Sequence, residues 1–353
     1  MHLESLERLP RSSNATATDH ARHRQGALSR RKIRMVGIAA AILGSIVATS
    51  VQAQSQTWPQ RSVRWIIPFG PGAGADIGAR LIQERLQAKW GQPVVIENRP
   101  GGDSMIAIQA VLSANDDHTF LWAPSGNFTV HPFLYSKLPY DPDELIPVAR
   151  FSSTILALGV PAALKIDTVA DLAKQARAQK NGKFNSAAVP GITELAYDYF
   201  AHNAKFTTQR VPYKDIVQAA NDLAESRIQI YSASYAILRP QHEAGRVAIL
   251  AQFGNKRAPS LPMIPTGIEA GFPELEMDGN IGLFATKALP PTLIERIGAD
   301  IVSVSRDKAV EDRLNATAQQ PSFGGAKEFA ESIARQRATI GMIAKTLNIQ
   351  PQR

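Results

Sequence analysis

Not one cysteine occurs among the 353 residues. That excludes thiolate catalysis, disulfide frameworks, zinc–thiolate sites and iron–sulfur clusters together. Histidine is scarce as well. Beyond residue 53 there remain His118, His131, His202 and His242, and none has a second His, Asp or Glu at metal-ligand spacing on a helix face. The chain contains neither H-E-x-x-H nor G-x-x-x-x-G-K-[ST]. Ser125-Gly126 lacks the flanking glycines of a G-x-S-x-G nucleophile elbow. The carboxylate pairs Asp116-Asp117 and Asp141-Pro142-Asp143 sit in turn contexts, where Asp is favoured for its local backbone hydrogen bonds. No catalytic constellation emerges, and the chain reads as a non-enzyme with no metal and no cofactor.

What is present is ordinary globular material, 44% apolar and 20% charged, long enough for two domains. The net charge of +8 is concentrated at the start, where residues 1–53 hold eight Lys/Arg against three Asp/Glu. The body is close to balance, so the basicity does not imply a nucleic-acid partner. Ser29-Arg30-Arg31-Lys32-Ile33-Arg34 precedes an uncharged apolar run over 35–51 that ends in Val51-Gln52-Ala53. A basic block, a short apolar stretch and small residues at an A-x-A-like exit make a secretory signal peptide cleaved after Ala53, behind a disordered n-region. The run is short for a membrane anchor and diluted by Gly37, Gly44, Ser45, Thr49 and Ser50. Export by the general pathway fits a leader this basic, while the paired arginines leave the twin-arginine route open. The mature protein is then periplasmic.

After the leader, short apolar runs alternate with helical patterns, the grammar of βαβ units. Residues 63–69 read as a strand, followed by the turn Gly70-Pro71-Gly72-Ala73-Gly74 and a helix with Asp76 as its cap and Ile77, Leu81, Ile82 and Leu86 as its apolar face. Strands follow at 94–97 and 119–123, and a long apolar run at 151–160 reads as a buried or crossover strand. Thr168 caps a helix marked by Val169, Leu172, Ala173 and Ala176. Further strands read at 183–187, 209–213, 228–232, 247–253 and 281–285, with helices at 193–203 and 216–225. Two long helices close the chain. Two α/β lobes follow, with the chain crossing between them near 151–160 and 279–286.

The glycine turn is the strongest local signal. A strand, a Gly-rich turn and a helix start place unpaired backbone N–H groups and a positive dipole end at one point, which suits a carboxylate or a phosphate. A dinucleotide site is one alternative, with Glu97 ending the second strand, but the glycines fall as G-x-G-x-G and Pro68 and Pro71 stiffen the turn. A purely structural βα turn is another. Gly74 is where a β-branched residue would block backbone approach and oppose a positive φ. Gly126-Asn127, 187–191 and 212–215 also follow strands, and turns at strand ends on two lobes can converge on one cleft. An exported two-lobed protein with such a cleft and no catalytic group is most simply a ligand receptor.

The stretch IIPFGPGAGADIGARLIQERLQAKWGQPVVIENRPGG at 66–102 closely resembles the opening of the Bug-type substrate-binding proteins of tripartite tricarboxylate transporters. LYSKLPYDP at 134–142, VPYK at 211–214, Ala244-Gly245-Arg246 and RAPSLPMIPTGIEAG at 257–271 extend the resemblance in order over nearly all of 58–349. It implies a type II periplasmic-binding-protein fold, two α/β lobes with a mixed sheet each and two crossover strands. Domain 1 would be 58–155 plus 282–353 and domain 2 156–281. It also implies a monomer that closes over a small carboxylated ligand and serves membrane transporter subunits or a sensor domain. Carried over, the ligand loops of the first domain are Gly70, Pro71, Gly72, Ala73, Gly74, Ala75 and Asp76, with Ser125, Gly126 and Asn127. The second domain adds Ala187, Ala188, Val189, Thr193 and Glu194, then Tyr213, Ser232 and Ser234. Departures from the family pattern fall in these loops: Glu194 stands where a His is frequent, Asp215 follows VPYK in place of Gly, and Ser232-Ala233-Ser234 replaces F-D-N. Glu194 either meets a ligand ammonium, favouring an amino-acid-like ligand, or faces solvent on its helix's first turn.

Overall fold

A computed structural model describes residues 58–179, 184–213, 215–277 and 279–351; the leader through Ala53, together with Lys183 and Lys214, lies outside them. The chain runs β1 (Val63–Ile67), α1 (Gly74–Trp90), β2 (Val94–Asn98), α2 (Met105–Ala114), β3 (Thr119–Pro124), the single turns α3 (Gly126–Thr129) and α4 (His131–Leu134), and β4 (Leu145–Thr154). There follow β5 (Leu156–Pro161), α5 (Val169–Ala178), β6 (Asn185–Ala188), α6 (Ile192–Asn203), β7 (Gln209–Arg210), α7 (Ile216–Ala224), β8 (Ile230–Ser234), α8 (Tyr235–Glu243) and β9 (Val247–Gln252). Last come β10 (Asn280–Thr286), α9 (Pro291–Ser305), α10 (Lys308–Ala316), β11 (Gln319–Gly324) and α11 (Ala326–Thr346).

These strands make two mixed sheets, ordered β11-β4-β10-β3-β1-β2 and β7-β6-β8-β5-β9. β1 pairs in parallel with β2 and β3, and β6 with β7 and β8, so their carboxyl ends share one edge in each sheet. β10 runs antiparallel between β3 and β4, and β5 antiparallel between β8 and β9. The fold is thus the α/β architecture of two mixed sheets that the sequence implied.

The strands read as apolar runs because helices cover both faces of each sheet. All seven residues of β10 are buried. On one face of the first sheet Trp65 stacks on Trp122 with ring centres 4.8 Å apart and planes 7° from parallel. On the other face Phe284 lies between Phe128 and Phe329. α1 covers the tryptophan face with Ala75, Ala79, Ile82, Leu86 and Trp90, spaced four, three, four and four residues apart. Ile77 and Leu81, expected on that face, are only half-buried.

The long apolar run at 151–160 is divided. Ile155 separates β4 of one sheet from β5 of the other, so one hydrophobic segment serves two cores. The 209–213 strand shrinks to two residues, since Pro212 has no N–H for a ladder. Where two closing helices were expected there are three, with the edge strand β11 between α10 and α11. α8 and the turn α4 were not foreseen. α11 is a continuous helix that joins both hydrophobic regions: Phe329 and Ile333 pack with Ile66, Ile108 and Leu121, whereas Ile340 and Ile343 pack with Leu195, Phe200 and Ile230.

Gly282, central in β10, has no room for a side chain. A Cβ there would lie 2.2 Å from the Ala149 carbonyl oxygen and 2.5 Å from the Phe329 ring. Backbone on one side and a buried ring on the other leave nothing flexible to yield. We expect Gly282→Ala to lower unfolding stability by about 3 kcal/mol or more in urea titrations, at the severe end of overpacking.

Candidate functional site

Three of the expected loops lie at strand carboxyl ends, and each begins a helix. β1 runs into the glycine turn, in which Gly72 has φ +86°. The turn is braced from within by Asp76, in the third position of α1 rather than at its cap. The carboxylate is 2% exposed and accepts from Gly72 N at 2.9 Å, Arg80 Nε and Nη2 at 3.0 Å each, and Asn98 Nδ2 at 2.9 Å. Burial alone would raise its pKa; the Arg80, Gly72 and Asn98 hydrogen bonds together outweigh that and hold it below the usual carboxylate range. Asn98 also donates to Phe69 O at 2.9 Å, tying the end of β2 to the start of the turn. With its acceptor positions engaged, Asp76 shapes the turn.

No side chain caps α1, whose preceding residue is Ala73. The N–H groups of its first turn therefore have neither an intrahelical acceptor nor a capping oxygen. Open space extends for 4 Å from the Cβ positions of Gly70 and Gly72. The expected positive φ at Gly74 is not found; it belongs to Gly72, because the reversal precedes the helix. Gln319 of β11 donates to Gly74 O at 3.0 Å, and a Cβ on Gly74 would meet its Nε2 at 3.4 Å. Ser152 in turn donates to Gln319 Oε1 at 3.0 Å.

The β3 end is equally constrained. Ser125 N donates to Asn280 O at 2.8 Å, and the hydroxyls of Ser125 and Thr129 both donate to Gln336 Oε1, at 2.8 and 2.9 Å. Asn127 Nδ2 donates to Ser104 Oγ at 2.7 Å. Ser104 ends a run of four left-handed residues, Gly101 to Ser104, with φ of +110°, +56°, +48° and +73°. Such a run is costly for Asp103 and Ser104, and it carries Ser104 to Asn127.

Across from these loops, α6 begins at Gly191, with φ +99° and no side-chain cap. A Cβ on Gly126 would touch Ile192 at 3.5 Å, so the β3 turn and the α6 start abut. The second sheet presents Ala187 and Ala188 at the end of β6, and Val189 N donates to Ser232 O at 3.0 Å. Ser232 is fully buried and its hydroxyl donates to Thr193 O at 3.3 Å, so Ser232 holds the α6 start in place. Ser234 is half-buried before α8 and gives that helix no side-chain cap. Side chains cap α5 (Thr168), α7 (Asp215) and α10 (Asp307), whereas α2, α8 and α9, like α1 and α6, have no side-chain cap. Asp215 is thus an exposed cap, accepting from Val217 N at 2.8 Å. Tyr213 gives its hydroxyl to Asp222 Oδ2 at 2.7 Å; burial first and that carboxylate second push its phenol up to about 12.

Glu194 is half-buried in the first turn of α6. One helical turn on, Asp198 is ion-paired with Arg210, whose guanidinium lies 5.0 Å from the Tyr197 ring centre. Burial pushes Asp198 up to about 6; Arg210 opposes the rise and the Glu194 charge adds to it. Sequence reasoning missed Gln319, Ser104, Asn280 and Gln336, which hold the expected loops. Among the described residues no group of His, Cys, Asp and Glu could hold a metal ion, and no helix is long and apolar enough to cross a membrane.

Two tests follow. Asp76→Ala leaves Gly72 N and Arg80 without their buried partner, and we expect it to cost roughly 3 kcal/mol of unfolding stability at neutral pH. Because the folded pKa of Asp76 is depressed, its contribution is present above about pH 4 and lost as pH falls through the folded value. The Asp198 shift has the opposite sign. Its stabilisation relative to Asp198→Asn is full below the unfolded value and is lost as pH rises through about 6. Melting curves of the two proteins between pH 4 and 8 should converge on the acid side, diverge between about pH 4 and 6 and hold that separation above pH 6, with Asp198→Asn the more stable; curves parallel over the whole range contradict the shift.

Residues 78–349 match the family model described as the tripartite tricarboxylate transporter family receptor. A UPF0065 protein from the tcbD–tcbE intergenic region of Pseudomonas sp. strain P51 is 33% identical over 309 residues, covering 85% of this chain and 89% of that protein. BugT of Bordetella pertussis is 27% identical over 288 residues, covering 80% of this chain and 88% of its own length. Among solved structures, R. palustris Rpa4515 with adipate superposes with a TM-score of 0.72 at 28% identity, covering 84% of this chain and all of that one. With the family model spanning most of its length and its relatives matched nearly end to end, the chain belongs to the Bug-type receptors of the tripartite tricarboxylate transporter family.

Proposed function

We propose that this protein is a periplasmic receptor for a small carboxylated ligand, which it delivers to the membrane subunits of a tripartite transporter or presents to a sensor. The observation that carries the reading is the meeting of uncapped helix starts from both sheets, α6 abutting the β3 turn at Gly126 and Ile192, beside a glycine turn braced by a buried carboxylate. Backbone N–H groups at helix starts attract an anion through both hydrogen bonds and dipole. The ligand carboxylate sits on the 70–75 turn and at 125–127, where side-chain donors and the Gly72, Ala73 and Ser125 N–H groups are engaged in the scaffold and the N–H groups of Gly74, Ala75, Gly126 and Asn127 are what remains to bind.

The body 156–281 closes on 58–155 plus 282–353, bringing Ala187 to Val189, Thr193, Glu194, Tyr213 and Ser234 over the rest of the ligand. The adipate in the R. palustris relative makes a flexible dicarboxylate the first candidate. A second candidate rests on Glu194. An added carboxylate beside Asp198, with Arg210 as the paired cation, leaves the α6 end of the cleft negative at neutral pH. An amino acid could place its carboxylate on the glycine turn and its ammonium toward Glu194. The basic leader supports export, and mature protein from the periplasm should begin at Gln54 by N-terminal sequencing.

The ligand class is tested by thermal shift over dicarboxylates and their amino counterparts, followed by calorimetry with adipate against 2-aminoadipate and succinate against aspartate. A ligand at a hundred times its Kd adds about 2.7 kcal/mol of stability. We expect Gly72→Val to remove binding of whichever acid responds while the protein stays folded, since valine disfavours the left-handed turn and fills the open space above it. If the amino acids bind more tightly, Glu194→Gln should erase that advantage. No response to any acid, or full affinity in Gly72→Val, defeats the reading.

A further inference from the structure

Two strand crossings join the sheets, and α11 makes a third connection of a different kind. Its first half packs Phe329 and Ile333 with Ile66, Ile108 and Leu121 at the first sheet; its second half packs Ile340 and Ile343 with Leu195, Phe200, Leu275 and Met277 at the second. Twenty-one residues of continuous helix, about 30 Å, run from one core into the other. A strand crossing yields by rotating a few backbone bonds, whereas a helix resists bending through the hydrogen bonds it would have to stretch. Movement of one sheet relative to the other therefore has to slide or tilt α11 over the residues beneath it.

At the middle of α11, between its two apolar halves, stand Ser332 and Gln336, four residues apart and so on one face. Gln336 Oε1 accepts from the hydroxyls of Ser125 and Thr129, at 2.8 and 2.9 Å, and Ser332 Oγ accepts from Asn280 Nδ2 at 2.8 Å. Asn280 O closes the circuit by accepting from Ser125 N at 2.8 Å. All five residues are 4% exposed or less. Asn280 opens β10 at the return crossing, and Thr154, at the outward crossing, donates its N–H to Gly279 O at 2.8 Å. The β3 turn, both crossings and the middle of α11 are thus tied by direct hydrogen bonds. Buried groups of this kind are costly to leave unpaired, so the set moves together or breaks. Gly126 and Asn127 lie between the Ser125 and Thr129 anchors. Just beyond them Val130 and Phe133 pack in the second core, and a Cβ on Gly341 of α11 would lie 3.4 Å from the Phe133 ring.

We propose that Gln336 is a positioning residue that gears the β3 turn to the separation of the two sheets. Tilting α11 displaces Gln336, and with it the Ser125 and Thr129 hydroxyls that set where the Gly126 and Asn127 N–H groups point. In the other direction, a carboxylate held on those N–H groups stabilises one position of α11 and so one separation of the sheets. The second direction rests on the carboxylate reading of the site; the first does not.

The test reads the sheet-to-sheet distance without ligand, and affinity separately. Because the chain has no cysteine, Lys174→Cys in α5 and Glu295→Cys in α9, both exposed, take spin labels at those two places alone. Ser125→Ala/Thr129→Val/Gln336→Leu removes the two donors and their acceptor together, which keeps the cost in stability low. Double electron–electron resonance should give a broader distance distribution in this triple variant than in wild type. Gln336→Glu, which keeps an acceptor oxygen, should retain the wild-type distribution. So should Leu314→Ala, which lowers stability from within the first core. An unchanged distribution in the folded triple variant overturns the proposal, as does equal broadening in Leu314→Ala, which would make the effect one of stability alone. Calorimetry with adipate and with succinate follows on wild type and Gln336→Leu, which alters no atom of the turn. Affinity for whichever acid binds should fall about tenfold. Full affinity in Gln336→Leu overturns the gearing of the turn. Failure of both acids to bind wild type defeats the carboxylate reading alone, since the distances decide the gearing without them.

Discussion

A buried carboxylate cannot stay unpaired, and the partners that Asp76 takes determine the shape of the loop that matters most. Its oxygens draw together the Gly72 N–H, the Arg80 guanidinium one turn along α1, and the Asn98 amide from the neighbouring strand. Asn98 adds a bond to the carbonyl of Phe69. One side chain thereby ties the ends of β1 and β2 and the start of α1 into a single rigid unit. The negative charge, placed at a helix N-terminus, is matched by Arg80 and so does not repel a second anion as a bare carboxylate would. Under the proposed function, the turn then presents backbone donors whose orientation is set before any ligand arrives, which lowers the entropy lost on binding.

The remaining supports of the cleft follow the same logic. Side chains near it are held by protein partners: Ser125 and Thr129 by Gln336, Asn127 by Ser104, Ser232 by Thr193, Tyr213 by Asp222. The left-handed run through Ser104 stores strain to place one hydroxyl, the kind of local cost that functional loops carry. Across the molecule, α11 and the two crossovers connect what the sheets separate. Under the proposed function, such a scaffold leaves backbone amides and a few peripheral charges, Glu194 foremost, to distinguish one acid from another.

Much of this was legible in the residues. β1, the glycine turn and α1 announce themselves because an apolar strand, unpaired glycines and a helical period fall in succession, and Thr168 is visible as a cap from its position before an amphipathic run. Other features were not. β11 reads Gln-Gln-Pro-Ser-Phe-Gly, polar and interrupted by Pro321, because an irregular edge strand has one neighbour and no continuous apolar demand. Gln319 was hidden with it. α8 contains Pro240, a residue that argues against a helix interior, yet tertiary packing of Tyr235 and Leu238 holds it. Asp76 looked like a cap because Asp after a turn is a cap signal; only the register of the helix shows it three residues past the cap position, Ala73. Gly72 and Gly74 cannot be told apart in a string of alternating glycines, since which one takes the positive φ depends on where the helix begins.

The central claim is that a carboxylate is held by backbone N–H groups of the braced glycine turn, between the two sheets. A crystal structure of the mature protein with the tightest-binding acid from the screen tests this most directly. The account predicts one carboxylate within about 3 Å of the backbone nitrogens of Gly74 and Ala75 or of Gly126 and Asn127, with the Asp76–Arg80–Asn98 network unchanged. A ligand held instead by side-chain cations, with the glycine turn empty, would contradict it.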